Sequence, residues 1–299
     1  MKTYSVLLKR NVKLFFKDKG LFFTSLITPL ILLVLYVTFL SNVYKDSVNT
    51  IFNQMGITLD SGVMNGIVGG QLVASLLAVS CITVSFCSNM LMVQDKVSGA
   101  RKDLLMSPVK RSTLAFSYFT ASACSTLIIC LVALFAGLIY IASTGWFLGF
   151  VDILVIIADV VVLVLFGTAL SSVINHFLST QGQISAVGSI VSSCYGFICG
   201  AYMPLASFSQ GLRDVLMFLP GTYGTSLLKN HTLKSAFKAM EKDNIPQDAV
   251  NGLKDAIDCN IYFFNDKVSL GACLGVLIGA VVLCISAYVL INALSKKNK

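Results

Sequence analysis

The sequence predicts an all-α polytopic membrane protein, and three observations carry that prediction. The 299 residues are 56% hydrophobic and only 12% charged, more apolar surface than one water-facing core buries. Five uncharged runs, 20–44, 61–94, 112–151, 160–212 and 268–295, each reach the roughly 20 residues that a helix needs to cross a bilayer. The basic residues are distributed unevenly among the segments between those runs.

The run from Val160 is too long for one crossing and divides at Asn175, His176, Thr180, Gln181, Gly182 and Gln183, where backbone facing lipid would lack partners. Six crossings are therefore expected, at 21–41, 67–93, 114–141, 151–173, 184–203 and 268–293. Of the 22 Lys and Arg, six precede the first crossing, five lie in 95–115 and three in the tail. On that side they face only Asp18, Asp95 and Asp103, so both termini and the 94–113 loop are expected in the cytoplasm of a multi-pass cell-membrane protein, a bacterial plasma membrane being the natural setting. The net charge of +8 is thus a topology signal and not a nucleic-acid footprint. Eight of the nine cysteines fall within crossings, and only Cys259 lies in the expected external segment, so no disulfide framework is expected. The apolar run after Gly20 is too long, and lacks the small-residue cleavage site, for a signal peptide.

Residues 2–19 should form an interfacial helix. At 100° per residue Tyr4, Leu7, Leu8, Val12, Leu14, Phe15 and Phe16 fall broadly on one side, and Lys2, Lys9, Arg10, Lys13 and Lys17 on the other. Such a helix lies on anionic lipid, or serves only as a charged approach to the first crossing. The first crossing contains Pro29, which a bundle accommodates.

Small residues recur every fourth position in three crossings: Gly66, Gly70, Ala74 and Ala78; Ser192, Gly196 and Gly200; Gly271, Gly275 and Gly279. This spacing lets helix backbones approach closely, as sliding contacts within or between subunits or as static packing.

Between the second and third crossings lies DKVSGARKDLLMSP, residues 95–108. Ser98 is placed to cap a helix over 99–106 that Pro108 ends. Val97, Ala100, Leu104 and Leu105 make an apolar stripe beside Arg101, Lys102 and Asp103, with Met106 closing the helix. The stripe suits a groove on a cytoplasmic partner, whereas a loop that only sets topology needs the charges alone.

After the fifth crossing, 202–228 is apolar but broken by Pro204 and Pro220 and charged at Arg213 and Asp214, which predicts a re-entrant hairpin or an external loop packed on the bundle, with Tyr223 at its end. Residues 232–243 and 246–258, the latter entered from Asn244 or Ile245, should add two short amphipathic helices as a small external cap over 204–267.

Asp159 is the acid well inside a crossing, with Asp152 seven residues earlier on the same face. A mid-membrane charge costs about 2.5–3.5 kcal/mol, so this pair should face a translocation cavity or a polar neighbour within the bundle. Catalytic patterns are absent: no GxxxxGK[ST], GxSxG or HExxH occurs, and two histidines do not make a metal site. No ATP hydrolysis and no metal or other cofactor is expected of this chain alone.

Residues 95–108 resemble the cytoplasmic loop of type-2 ABC exporter permeases, which runs acidic, basic, acidic, any, Gly, then a Leu-rich turn ending in Thr/Ser-Pro. GAYMP at 200–204 and LPGTY at 219–223 are similar to that family's segment after the fifth helix, and the order of elements matches over the whole chain. One departure is Val97, where the family usually carries an acid. The resemblance implies a single permease domain in which 99–106 is the coupling helix and 2–19 the connecting helix. It implies a separate ATPase subunit that binds ATP and Mg, a homodimer or a heterodimer with a related permease, and an external gate around Pro204 to Pro220. A drug, antimicrobial peptide or lipid-like substrate fits better than a polysaccharide, given the chain length and the developed external region. A secondary transporter, or a transporter-like sensor or immunity protein without ATP coupling, are the alternatives; the first would be expected to carry internal repeats and more intramembrane charge.

Overall fold

A computed structural model describes residues 2–294 apart from Met55, Thr58, Asn244 and Asn265. Its axis is α4, Ser61–Val97, the helix with the most glycines, whose apolar stretch is buried on every side. Around α4 pack α2 (Lys19–Leu35), α6 (Arg111–Thr144), α7 (Phe150–Phe177), α8 (Gln181–Ile198) and α10 (Pro220–Lys242). The final helix, α12 (Leu270–Leu294), leans on α7 and α10 from outside, and α1 (Lys2–Lys17) lies against α6 and α2.

Five helical segments are long and apolar enough to cross a membrane: Lys19–Asn53, Ser61–Val97, Arg111–Thr144, Phe150–Phe177 and Leu270–Asn292. The sixth expected crossing, 184–203, coincides with α8, whose 18 residues carry two glutamines and four serines and end at Ile198. The chain is thus an all-α polytopic membrane protein. At 1.5 Å per residue the 37 residues of α4 span roughly 55 Å, well beyond a hydrocarbon core of about 30 Å.

The first crossing also runs longer than expected. Helix α2 passes through a π-helical turn, Tyr36–Leu40, directly into α3, Ser41–Gln54. That turn divides the apolar α2, which holds Pro29 buried against the bundle, from a polar continuation. In α1 the buried positions are Leu7, Asn11 and Phe15, one side of the helix as the spacing predicted, while the lysines face outward.

Small residues act where helices cross closely. A Cβ at Gly66 would enter the Phe147 ring, and one at Gly70 would come 2.7 Å from Leu233. In α8 Gly196 lies under the Tyr202 ring. One expectation is corrected. Gly200 lies beyond the end of α8, where φ of +72° turns the chain, so it ends the helix instead of lining it. Among the described residues nothing stands within 4 Å of a Cβ at Gly271, Gly275 or Gly279, so this row faces outward, and of the two expected settings, within or between subunits, the first is not met here.

The cap also differs from expectation. Residues 232–243 do not form a separate external helix: α10 runs unbroken from Pro220 to Lys242, buried through most of its length against α4, α7 and α12. Its first three turns hold Thr222, Thr225, Ser226 and Lys229, a polar content that reads as loop in a hydropathy profile but is satisfied here by hydrogen bonds, local for Thr222 and Thr225 and long-range for Ser226 and Lys229. A short α9 (Gln210–Leu216) precedes it, and α11 (Gln247–Ala256) with a two-stranded hairpin, Tyr262–Phe263 and Asp266–Lys267, completes this region.

Candidate functional site

The loop between α4 and α6 is built around one backbone inversion. Gly99 adopts φ of +85°, and no atom lies within 4 Å of a Cβ built there, so conformation and not space calls for glycine. Helix α5, Ala100–Met106, starts from this residue, with Lys102 N–H donating to Gly99 O at 2.8 Å. Ser98 does not cap α5; it ends α4, its N–H donating to Gln94 O. At the other end the Ser107 hydroxyl donates to Leu104 O at 2.6 Å, and Pro108 follows.

The expected stripe is divided between two faces. Leu104 and Leu105 turn inward and pack on a cluster containing Leu7, Leu91, Leu114, Tyr118 and Tyr288. Met106 is 88% exposed and Val97 49%, and with exposed Lys102, Asp103 and Pro108 they form the outward face; Ala100 and Arg101 are half-buried. The inner leucines fix the orientation of α5, and the outer residues are free to meet another protein.

The two residues at the root of the loop grip three helices. Asp95, buried, receives Arg10 Nη1 at 2.6 Å and Nη2 at 3.1 Å, and the Tyr118 hydroxyl at 2.5 Å. The hydrogen bond to Asp95 raises the pKa of Arg10 further, against a partial desolvation. Beside this pair Asn11 donates to Ser117 at 3.3 Å, and Tyr4 to Thr120 at 2.8 Å. Lys96 donates to the carbonyls of His176 (3.0 Å) and Leu178 (2.7 Å), where a cation complements the C-terminal end of α7. Further along α4, Asn89 donates to Ser171 (3.0 Å) and Ser172 (2.8 Å) and accepts from Ser122, while Ser85 meets Thr168. Helices α4, α6 and α7 are thereby joined by a polar ladder that begins at the loop.

The two candidate cavity acids bind α10. Asp159 contacts His231 Nδ1 at 2.5 Å; Asp152 accepts from Ser235 at 2.7 Å and from Gly149 N–H at 3.0 Å, with Lys234 at 4.0 Å. Both carboxylates thus join α7 to α10, the polar-neighbour alternative of the sequence.

A second buried ion pair organises the end of the bundle away from α5. Lys229, fully buried, donates to the carbonyls of Gly200 (2.8 Å) and Ile257 (2.9 Å) and lies 3.4 Å from Asp258. Asp258 takes the N–H of Leu205, just after Pro204, and burial raises its pKa against the opposing influence of Lys229. Of the expected gate residues, Arg213 and Asp214 are half-buried on α9, Pro220 begins α10, and Tyr223 is buried with its hydroxyl on Met217 O at 2.7 Å. The turn at Leu219 and Pro220 sits beside Leu170 and Cys284, past the midpoints of α7 and α12.

On the α2 side a cavity of about 480 Å³ opens between α2 and α8, lined by Ile31, Leu35, Tyr36, Ser192, Phe197 and Tyr202. The Tyr36 hydroxyl is buried and has no hydrogen-bond partner among the described residues, and the π-turn begins at this residue. Sequence reasoning placed the cavity at Asp152 and Asp159 and missed this one, because an apolar wall facing a cavity reads like any lipid-facing helix.

No curated protein matched the chain closely enough to count as a relative. The family model described as ABC-2 type transporter matches residues 2–230, which include α1, the α5 loop and the anchors Arg10, Asp95 and Lys96. The chain therefore belongs to the ABC-2 type transporters, as a type-2 ABC transporter permease.

Proposed function

We propose that this permease is the membrane subunit of an ATP-driven exporter of amphipathic drugs, antimicrobial peptides or lipid-like compounds, worked by a separate ATPase subunit docked on the outward face of α5. The observation that carries the proposal is the pairing of an exposed face at Val97, Lys102, Asp103, Met106 and Pro108 with a root, Asp95 and Lys96, held by α1, α6 and α7. Displacement of α5 by a partner would reach three helices at once, because each is tied by hydrogen bonds to residues adjacent to it. The chain itself has no phosphate loop, so ATP and Mg would belong to the partner and this subunit would not be an enzyme.

The α2–α8 cavity supports an apolar substrate. Its unpartnered Tyr36 hydroxyl, with Thr28, Ser192 and Tyr202, offers a few polar contacts in a mainly hydrophobic wall, the usual pattern of a small-molecule site. The outward-facing row Gly271, Gly275 and Gly279 and the exposed apolar face of α2 leave surface for a second copy or a related permease. A sixth crossing by α8 and a re-entrant path through α9 and the start of α10 complete the arrangement, with both termini cytoplasmic and Pro204 to Tyr223 gating the far end. Co-purification with a phosphate-loop ATPase, sought first among the genes beside this one, and substrate-stimulated ATP turnover by the pair, test the proposal. A stable chain that neither binds that ATPase nor stimulates it would overturn it.

A further inference from the structure

The groove on the α6 and α12 side of the bundle, at the same end as α5, lies apart from the substrate cavity, and of the outward residues of the α5 loop only Pro108 borders it. Two cavities meet in it. One, of about 600 Å³, lies between the first turns of α6 and the last turns of α12; Ala115, Phe119 and Ile285 form its apolar wall, and Lys110, Arg111 and Asn292 stand at its rim. The other, of about 700 Å³, continues toward α1, past Thr3, Tyr4 and Thr113. Lys110, Ser112, Phe116 and Val289 line both. No acidic residue lines either cavity among the described residues.

The polarity of the groove is ordered along α6. Cationic and hydroxyl groups collect at 110–113, and the wall is apolar from Ala115 to Phe119, so about 10 Å of helix separates Ser112 from the apolar end at 1.5 Å per residue. We propose that this groove is a binding site for an anionic phospholipid, with its phosphate at Lys110 and Ser112 and an acyl chain along Phe119 and Ile285. A soluble phosphate compound would leave the apolar lobe unused. A second copy of the chain would bring Lys110 and Arg111 against another cationic rim, which disfavours that occupant. Basic groups beside an apolar surface at a membrane boundary match the chemistry of anionic lipid binding.

The full-length chain in nanodiscs of phosphatidylcholine, with or without phosphatidylglycerol, followed by native mass spectrometry of retained lipid, tests the site independently of ATP coupling and of orientation. Phosphatidylglycerol should be retained by the wild type, and Lys110→Gln should lower retention about fivefold, the scale of one basic group at an anionic surface. Val289→Trp, at an exposed position that lines both cavities, should lower it comparably with no change of charge. Lys13→Gln, the same charge change on the outward side of α1, should leave it unaltered, and glycerol phosphate in solution should not displace the lipid. Equal loss in Lys13→Gln would mean diffuse attraction to a basic face and would overturn the site. So would unchanged retention in Val289→Trp, displacement by glycerol phosphate, or a dimer that covers the groove in place of lipid.

Discussion

Arg10 and Asp95, 85 residues apart in sequence, meet through two hydrogen bonds from one guanidinium, and the acid lies four residues before the glycine from which α5 starts. The loop that the permease would offer to its ATPase is thus fastened to the N-terminal helix by a partly buried ion pair. Removing one partner strands the other. Arg10→Ala should lower stability by about 2–3 kcal/mol, below the usual cost for a fully buried pair because Arg10 is 29% exposed. Replacing both, as Arg10→Met with Asp95→Leu, should recover much of that loss without restoring ATP coupling. Thermal melting in detergent and ATP turnover with the partner separate the two effects.

Gly99→Ala places a Cβ at φ of +85° with open space around it, so its cost is conformational, about 1–2 kcal/mol, and local. The expected result is faster amide exchange across Ala100–Met106 and weaker ATP coupling, with the melting temperature of the whole chain nearly unchanged. Slow exchange retained in α5 would contradict the role given to Gly99.

Asp159 and His231 act as one unit between α7 and α10. Asp159→Asn and His231→Gln should each destabilise by about 1–3 kcal/mol, and the double variant should cost little more than either single, the signature of a direct interaction. Additive losses in a double-mutant cycle would show that the pair is not coupled. Selective loss of export with stability intact would instead return Asp159 to the translocation path.

Lys229→Met leaves Asp258 buried and without its cation, at a cost of about 3–5 kcal/mol at neutral pH. The sign of its pH dependence follows from burial. The folded-state pKa of Asp258 is already raised and loses an influence that lowers it, so the carboxyl binds a proton more readily in the folded chain than in the unfolded one. The variant's deficit relative to wild type should therefore be smallest at pH values below the unfolded carboxyl pKa and should grow as pH rises through the folded one. A deficit that grows on acidification would contradict this account.

Much of the fold was legible because its signals are local. The apolar runs marked the spanning helices, the 100° spacing placed Leu7 and Phe15 of α1 inward, and Gly99 with Pro108 bounded α5. What was not legible depends on contacts distant in sequence. Arg10 lies on the basic side of α1 by periodicity, yet its partner Asp95 is on another helix and turns it inward. Lys229 and Ser226 make the start of α10 look like a loop, and the distant carbonyls of Gly200, Ile257 and Cys259 make their burial tolerable. The small-residue rows of α4, α8 and α12 look alike in sequence, but the first meets Phe147 and Leu233 while the last meets nothing among the described residues. The inward turn of Leu104 and Leu105 likewise followed from the position of Leu7 and Tyr288, and it leaves Met106 and Val97 exposed for the docking role proposed above.

The most direct measurement is site-specific photocrosslinking from position 106, with a benzophenone amino acid in place of Met106, in membranes that contain the neighbouring ATPase. The account predicts a covalent adduct between the permease and that ATPase, and none from the same probe at Leu105, which faces the bundle. An adduct formed equally from both positions, or from neither while the ATPase remains bound, would contradict the assignment of α5 as the docked element.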